Sequence, residues 1–267
     1  MQFLYHYQDL AVVIKPVGLD AESAVPAAII AELGGECYTV HRLDLNVGGV
    51  MVYARTKSAA AVLSRAIQDN AISKEYVALV HGTPATSGDW TDLLLKDARK
   101  NKVFVVDRPR KGVKEARLAY TRLTCAECDP ALVRIRLYTG RSHQIRVQFA
   151  SRKHPLVGDH KYGARDAHNA PMLYSCCITF PWKGKELRFE HLPAWADAAR
   201  LDRIAAMESA FDRHAPEDMP VLSAYLDGEW KADYEADEQG LIPRCMKRGV
   251  LSQDGLYNLV TDWEAQR

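Results

Sequence analysis

Val133-Arg134-Ile135-Arg136-Leu137-Tyr138-Thr139-Gly140-Arg141-Ser142-His143-Gln144-Ile145-Arg146 changes its periodicity halfway. Val133, Ile135 and Leu137 alternate with Arg134, Arg136 and Tyr138, the period of a half-buried strand with basic side chains outward. Thr139-Gly140 breaks that strand, and Ser142–Ser151 is predicted as a helix capped by Ser142. A strand-to-helix turn exposes backbone N–H groups suited to phosphate, and Arg141, His143 and Arg146 add three basic side chains within six residues. The i to i+3 spacing sets His143 and Arg146 on one helical face. A guanidinium there suits a carboxylate or a phosphate through its planar fork. An amphipathic helix with a solvated basic face has the same charge pattern.

Upstream, the strand-like run Leu10–Ile14 ends at the turn Lys15-Pro16-Val17-Gly18-Leu19. His41-Arg42-Leu43-Asp44 is followed by Asn46-Val47-Gly48-Gly49 and an apolar run over Val50–Ala54, so Asp44 lies in a loop feeding a strand. Glycines beside that loop let a ligand approach the backbone. Asp is also a favoured turn residue, so a turn cap with Arg42 as a surface charge accounts for the same letters. Residues 57–69 are predicted as a helix, with Ala59, Val62, Leu63, Ala66 and Ile67 on one face and Thr56 as N-cap. Lys74–Val80 reads as a strand with Tyr76, Ala78 and Val80 on one face and Val77 and Leu79 on the other. Tyr76 alone reads as a packing residue. Asp97–Arg117 is basic and poor in apolar residues apart from Lys102–Val106, while His154-Pro155 and Gly158-Asp159 are turn signals. Strands and helices mix without a regular βαβ repeat, which predicts an α+β fold with a largely antiparallel sheet.

The chain has 267 residues, 48% of them apolar and 26% charged, which excludes wholesale disorder and a disulfide scaffold. No apolar run spans a bilayer, and the N-terminal residues lack a signal-peptide pattern, so a cytoplasmic protein without membrane contact is expected. Charge is unevenly distributed. Residues 201–267 carry 14 Asp/Glu against 7 Lys/Arg, leaving 28 basic and 20 acidic side chains on residues 1–200, a net of +8. The first part therefore suits a polyanion and the tail does not. Ala198–Arg213 looks helical, and residues 198–267 are expected to form a mostly helical acidic extension after a domain over 1–197. Cys125 and Cys128 form one C-x-x-C, Cys176 and Cys177 are adjacent, and Cys37 and Cys245 are isolated. That spacing does not make a tetrahedral zinc site, so reduced thiols and no metal are expected. P-loop, dinucleotide-binding, zincin and nucleophile-elbow patterns are absent, which argues against nucleotide cofactors and serine hydrolysis.

Taken in order, Lys15-Pro16-Val17-Gly18-Leu19, His41-Arg42-Leu43-Asp44, Lys74-Glu75-Tyr76-Val77-Ala78-Leu79-Val80-His81-Gly82 and Thr139-Gly140-Arg141-Ser142-His143-Gln144-Ile145-Arg146 resemble the RluA family of RNA pseudouridine synthases. His154-Pro155-Leu156-Val157-Gly158-Asp159 and Tyr162-Gly163 continue the series, and the resemblance covers residues ~3–193. The loop and turn motifs in this order are highly specific together.

The resemblance implies a pseudouridine-synthase-like fold: a largely antiparallel central sheet, flanking helices and an RNA-binding cleft, with no cofactor or metal. It matches Asp44 to the essential carboxylate, Tyr76 to the tyrosine against the target base, and Arg146 to the arginine pairing with that carboxylate. Arg42, Arg141, His143 and Gln144 are the expected RNA contacts, together with the stretch Arg99, Lys100, Lys102, Arg108, Arg110 and Lys111. The implied partner is a structured rRNA or tRNA; a monomer is the default expectation, on which the sequence itself is silent. Where the family usually has Thr-Ser-Gly, this chain has Val47-Gly48-Gly49, removing two hydroxyls from the loop while keeping the last glycine. The pattern starts at residue 3, so the small S4 RNA-binding domain of many relatives is expected to be absent.

Breaking C1′–N1, turning the uracil and joining C1′ to C5 involves no redox change. A carboxylate can attack the sugar, stabilise its cation or help remove a C2′ proton; the residues do not choose among these. A non-catalytic RNA-binding or ribosome-assembly factor using the same cleft is the alternative, although binding alone has no use for Asp44 beside a polyanion. A glycosidase would need a second carboxylate in a comparable glycine-flanked loop, and the sequence offers none.

Overall fold

A computed structural model describes residues 1–124 and 129–196. In chain order the elements are β1 (Gln2–His6), β2 (Leu10–Lys15), α1 (Ala24–Leu33), β3 (Tyr38–Thr39), β4 (Gly48–Ala54), α2 (Lys57–Gln68) and β5 (Ser73–Val80). There follow β6 (Ser87–Asp97), β7 (Lys102–Val106), β8 (Val113–Arg122), β9 (Ala131–Leu137), α3 (Gln144–Ser151), a 3-10 turn (His160–Tyr162), β10 (Leu173–Trp182) and β11 (Lys185–Glu190). The strands form one sheet in the order β1-β2-β4-β10-β5-β9-β8-β6-β7, with β3 added to β4 and β11 to β10. The β4–β10 pair is parallel, through Gly48 to Tyr174 and Gly49 to Ser175; the other named pairings are antiparallel. This is the expected α+β architecture.

The period-two patterns assign the two faces. In β2, Ala11 and Val13 face a core shared with Val25 and Ile29 of α1 and Ile145 and Phe149 of α3. Leu10 and Val12 face the opposite core, under Ala59 and Leu63 of α2. Tyr76, Ala78 and Val80 belong to the first core and Val77 to a separate cluster, as the alternation predicts. Thr56 caps α2 by accepting from the Ala59 N–H at 3.2 Å. Val62 departs from its expected face and is exposed, because the buried stripe narrows to Ala59, Leu63 and Ala66.

One glycine of the parallel pair leaves no choice of residue. Gly49 has φ +130°, and a Cβ there would lie 2.3 Å from the Ser175 carbonyl oxygen. Gly48 is tighter than usual, with the Lys15 carbonyl 3.2 Å from a Cβ position.

The start of α3 corrects the expected Ser142 cap. The helix begins at Gln144, and His143 takes the N-cap position in the left-handed region at φ 50°. No side-chain hydrogen bond caps the helix at that position. The Gln144 side chain closes the turn instead, its oxygen accepting from Thr139 Oγ1 at 2.8 Å and from the Arg141 N–H at 3.0 Å. Farther along, Phe149 packs edge-on against Trp90 and Tyr120, and Arg152 clamps Asp92 at 2.9 and 3.1 Å. The helix carrying Arg146 is thereby fixed to β6 and β8. Cys125, Cys128, Cys245 and the expected acidic extension over 198–267 lie outside the described residues.

Candidate active site

The Asp44 loop is held from below by a lysine. Lys15, at the end of β2, is fully buried. Its ammonium donates to the carbonyls of Pro16 at 3.0 Å, Leu45 at 3.2 Å and Val47 at 2.8 Å. Burial lowers its pKa to about 8, against the opposing pull of Asp20 and Asp44. The Gly18 N–H donates to the Leu45 carbonyl at 2.8 Å, and the Val47 N–H to the Asp44 carbonyl at 3.0 Å. On the far side, His41 Nε2 accepts from the Val52 N–H at 3.2 Å. Backbone and neighbours are thus committed, while the Asp44 side chain stays 26% exposed.

Arg146 comes up from α3 to meet it. Its Nη1 lies 3.3 Å from Asp44 Oδ2. The other edge of the guanidinium makes a shorter, two-pronged contact with Asp159, at 2.6 and 2.7 Å. Asp159 is 1% exposed at its side chain. Burial alone would lower the Arg146 pKa, but hydrogen bonds and charge from Asp159, with Asp44 behind, raise it. Two carboxyl groups thus face one guanidinium, with Asp159 holding it by two short contacts and Asp44 by a single longer one.

His143 and Tyr162 complete this wall. Tyr162 lies under the guanidinium, 5.2 Å from ring centroid to Arg146 Cζ. Its hydroxyl accepts from the Val103 N–H at 2.9 Å and sits 2.9 Å from His143 Nδ1. The ring proton is best placed on His143 Nε2, which faces Asp44 Oδ2 at 3.8 Å. Burial lowers the His143 pKa, with Asp44 opposing and Arg146 adding to the drop, so the imidazole is neutral near pH 7.

Two cavities meet at Asp44. The first, of about 400 Å³, is walled by Tyr76, Lys74, Ile72, Leu137 and Arg146. The second, of about 500 Å³, opens on the other side toward Lys96, Asn101, Lys161 and Asn169. Tyr76 is 7% exposed; burial, and then the Asp44 charge, push its phenol pKa well up, so it stays a neutral hydroxyl. Among the described residues, no group of three or more His, Cys, Asp or Glu is arranged to hold a metal ion.

The fold therefore brings Asp44, Tyr76 and Arg146 to one cavity. The expected RNA contacts separate into different kinds. Arg42 is exposed at the rim of both cavities and paired with Glu22 at 3.0 Å. Arg141 borders the first cavity, its Nε donating to the Glu115 carbonyl at 2.8 Å. His143 faces Asp44 rather than solvent. Gln144 is 3% exposed, and its amide also donates to the Arg117 carbonyl at 3.0 Å, so it braces the turn instead of reaching outward. Asp159, Tyr162 and Lys15 enter the sequence reading only within turn signals and the motif series, with no site role. The signal for Asp159 was the preceding Gly158, whose φ of +77° and tight contact with the Ala170 carbonyl mark a fixed corner.

Residues 9–151 match the family model described as RNA pseudouridylate synthase. Residues 200–265 match a domain of unknown function, DUF4298. The chain is 32% identical over 207 residues to the dual-specificity RNA pseudouridine synthase RluA of Salmonella typhi, covering 70% of this chain and 90% of the relative. It is 28% identical over 243 residues to the ribosomal large subunit pseudouridine synthase D of Zymomonas mobilis, covering 85% and 73%. Human RNA pseudouridylate synthase domain containing 1 shares the fold, with a TM-score of 0.64, 22% identity and coverage of 72% and 83%. A glycine-flanked carboxylate, a buried arginine across from it and a tyrosine-walled cavity thus occur in a chain that belongs to the RluA family of RNA pseudouridine synthases, which are isomerases.

Proposed function

We propose that the protein isomerises a specific uridine of a structured rRNA or tRNA, with Asp44 as the carboxylate that acts at the sugar. The supporting observation is the meeting of Asp44, Arg146 and Tyr76 at one cavity, with Asp44 held by Arg146 and open to a ligand. The similarity to the ribosomal large subunit pseudouridine synthase D of Zymomonas mobilis favours rRNA.

The target nucleotide is everted into the first cavity, since its C1′ is out of reach inside a helix. Loops and bulges, whose bases are already unstacked, are the easiest targets. Asp44 attacks C1′, stabilises its cation or assists loss of the C2′ proton as the C1′–N1 bond breaks. Tyr76 presents a ring face to the uracil while it turns, and the surrounding walls keep the detached base from escaping. C5 then bonds to C1′, the C5 proton leaves to water, and N1 takes one up. Arg146 keeps the carboxylate aimed, and Asp159 keeps Arg146 from neutralising it.

Release of tritium from RNA labelled at uridine C5 tests this. Asp44→Ala and Asp44→Asn should abolish release while RNA binding persists. Near-normal turnover by Asp44→Asn would remove the carboxylate from the mechanism.

A further inference from the structure

Lys74 has no role in the scheme above, yet it occupies the same cavity. It stands two residues before Tyr76 on β5, so both side chains lie on one face of the strand. Their cross-strand neighbours on β9 are Leu137 and Ile135, in unbroken register. Both residues wall the cavity that ends at Asp44. Lys74 is half-buried, and among the described residues its ammonium has no hydrogen bond or ion pair. Burial lowers its pKa. A half-buried cation without a partner costs stability, and a ligand bearing negative charge would offset that cost.

Resting on the reading of this cavity as the uracil site, we propose that the Lys74 ammonium is a catalytic group that stabilises the negative charge on the uracil released from C1′. When C1′–N1 breaks, the electron pair leaves with the base and spreads from N1 onto O2 and O4. That charge exists only after the bond weakens, so a fixed cation beside those oxygens acts on the transition state more than on bound substrate. The ammonium donates a hydrogen bond and keeps its protons. The electron pair becomes the C5–C1′ bond when the base rejoins the sugar, which discharges the anion, and loss of the C5 proton with uptake of one on N1 completes the isomerisation. The assignment holds whether Asp44 attacks the sugar or promotes a glycal, because both routes detach the base as an anion.

The test is tritium release under saturating RNA by the full chain carrying Lys74→Met or Lys74→Arg, with thermal unfolding measured alongside. Lys74→Met should lower kcat about 10²–10³-fold, the loss typical of one such donor, with KM changed less than about threefold. Its unfolding temperature should equal or exceed wild type, since an unpartnered charge has become an apolar side chain of similar length. Lys74→Arg should recover at least about tenfold over Lys74→Met. A Lys74→Met enzyme within about threefold of wild type in kcat overturns the proposal. So does one that loses activity and stability together, which would make Lys74 a structural residue. Asp44→Ala run in parallel separates the two levels: turnover by that variant refutes the reading of the site, whereas a dead Asp44→Ala beside an active Lys74→Met refutes Lys74 alone.

Discussion

Neutralising each carboxylate beside Arg146 in turn separates holding the arginine from acting on the substrate. Asp159 grips the guanidinium by two short bonds, with side chains 1% and 8% exposed. Asp44 touches it by one bond of 3.3 Å and is 26% exposed. Removing one partner of a buried pair costs about 3–5 kcal/mol, because the remaining charge is stranded. Asp159→Asn keeps one acceptor and leaves Asp44 as counter-charge, so the expected loss is at the lower end, about 3 kcal/mol. For a domain of this size that is about 6–12 °C in Tm. Asp44→Asn breaks a longer, partly solvated contact while Asp159 continues to balance Arg146, and should cost less than about 1 kcal/mol. Urea unfolding of the full chain gives the two stability changes, and tritium release gives the two rates. The expected pattern is crossed: Asp159→Asn is strongly destabilised with residual turnover, and Asp44→Asn is nearly as stable as wild type with none. A larger stability loss in Asp44→Asn than in Asp159→Asn would refute this division of roles.

Two further substitutions probe the loop below Asp44. Gly49→Ala forces a Cβ to within 2.3 Å of the Ser175 carbonyl at a φ that L-residues avoid, so it should cost more than about 3 kcal/mol by urea titration; an Ala variant as stable as wild type would mean that β4 and β10 separate easily. Lys15→Met removes a buried ammonium whose pKa falls to about 8 in the fold from an ordinary 10.5. Between those values the unfolded chain holds more protons at this position than the folded one, so Lys15 adds stability as pH rises from about 8 to 10.5, by at most about 1.4 kcal/mol per pH unit. Burial raises the pKa of Cys37, Cys176 and Tyr53 and works the other way, so the quantity to follow is the difference between wild type and Lys15→Met. That difference should shift in favour of wild type across the window, and a flat difference would show that the ammonium is better solvated than its burial implies.

How far the sequence could be read depended on whether a residue's partner was local or distant. In β9, Val133 and Ile135 are buried while Arg134 and Arg136 between and after them are not, so its period of two is visible in the sequence. β10 lies inside the sheet between β4 and β5 and is buried along most of its length. Leu173-Tyr174-Ser175-Cys176-Cys177-Ile178 consequently shows no polar alternation, and the strand escaped notice. α1 is hard to see in the sequence for another reason: it carries Pro26 in its first turn, where the missing N–H has no helical partner to lose, and it ends at Gly34. Asp44, Tyr76 and Arg146 were picked out through motif order, and only the fold could place them at one cavity. Asp159 shows what motif order leaves out. It sits 13 residues beyond Arg146, across the end of a helix and an irregular corner, and nothing in the spacing says which acid will close on the guanidinium. The tighter partner turned out to be this buried acid, and the candidate catalytic one keeps a single longer contact. That inequality follows from solvation: a buried carboxyl group needs protein partners for its oxygens, whereas water supplies part of what an exposed one needs.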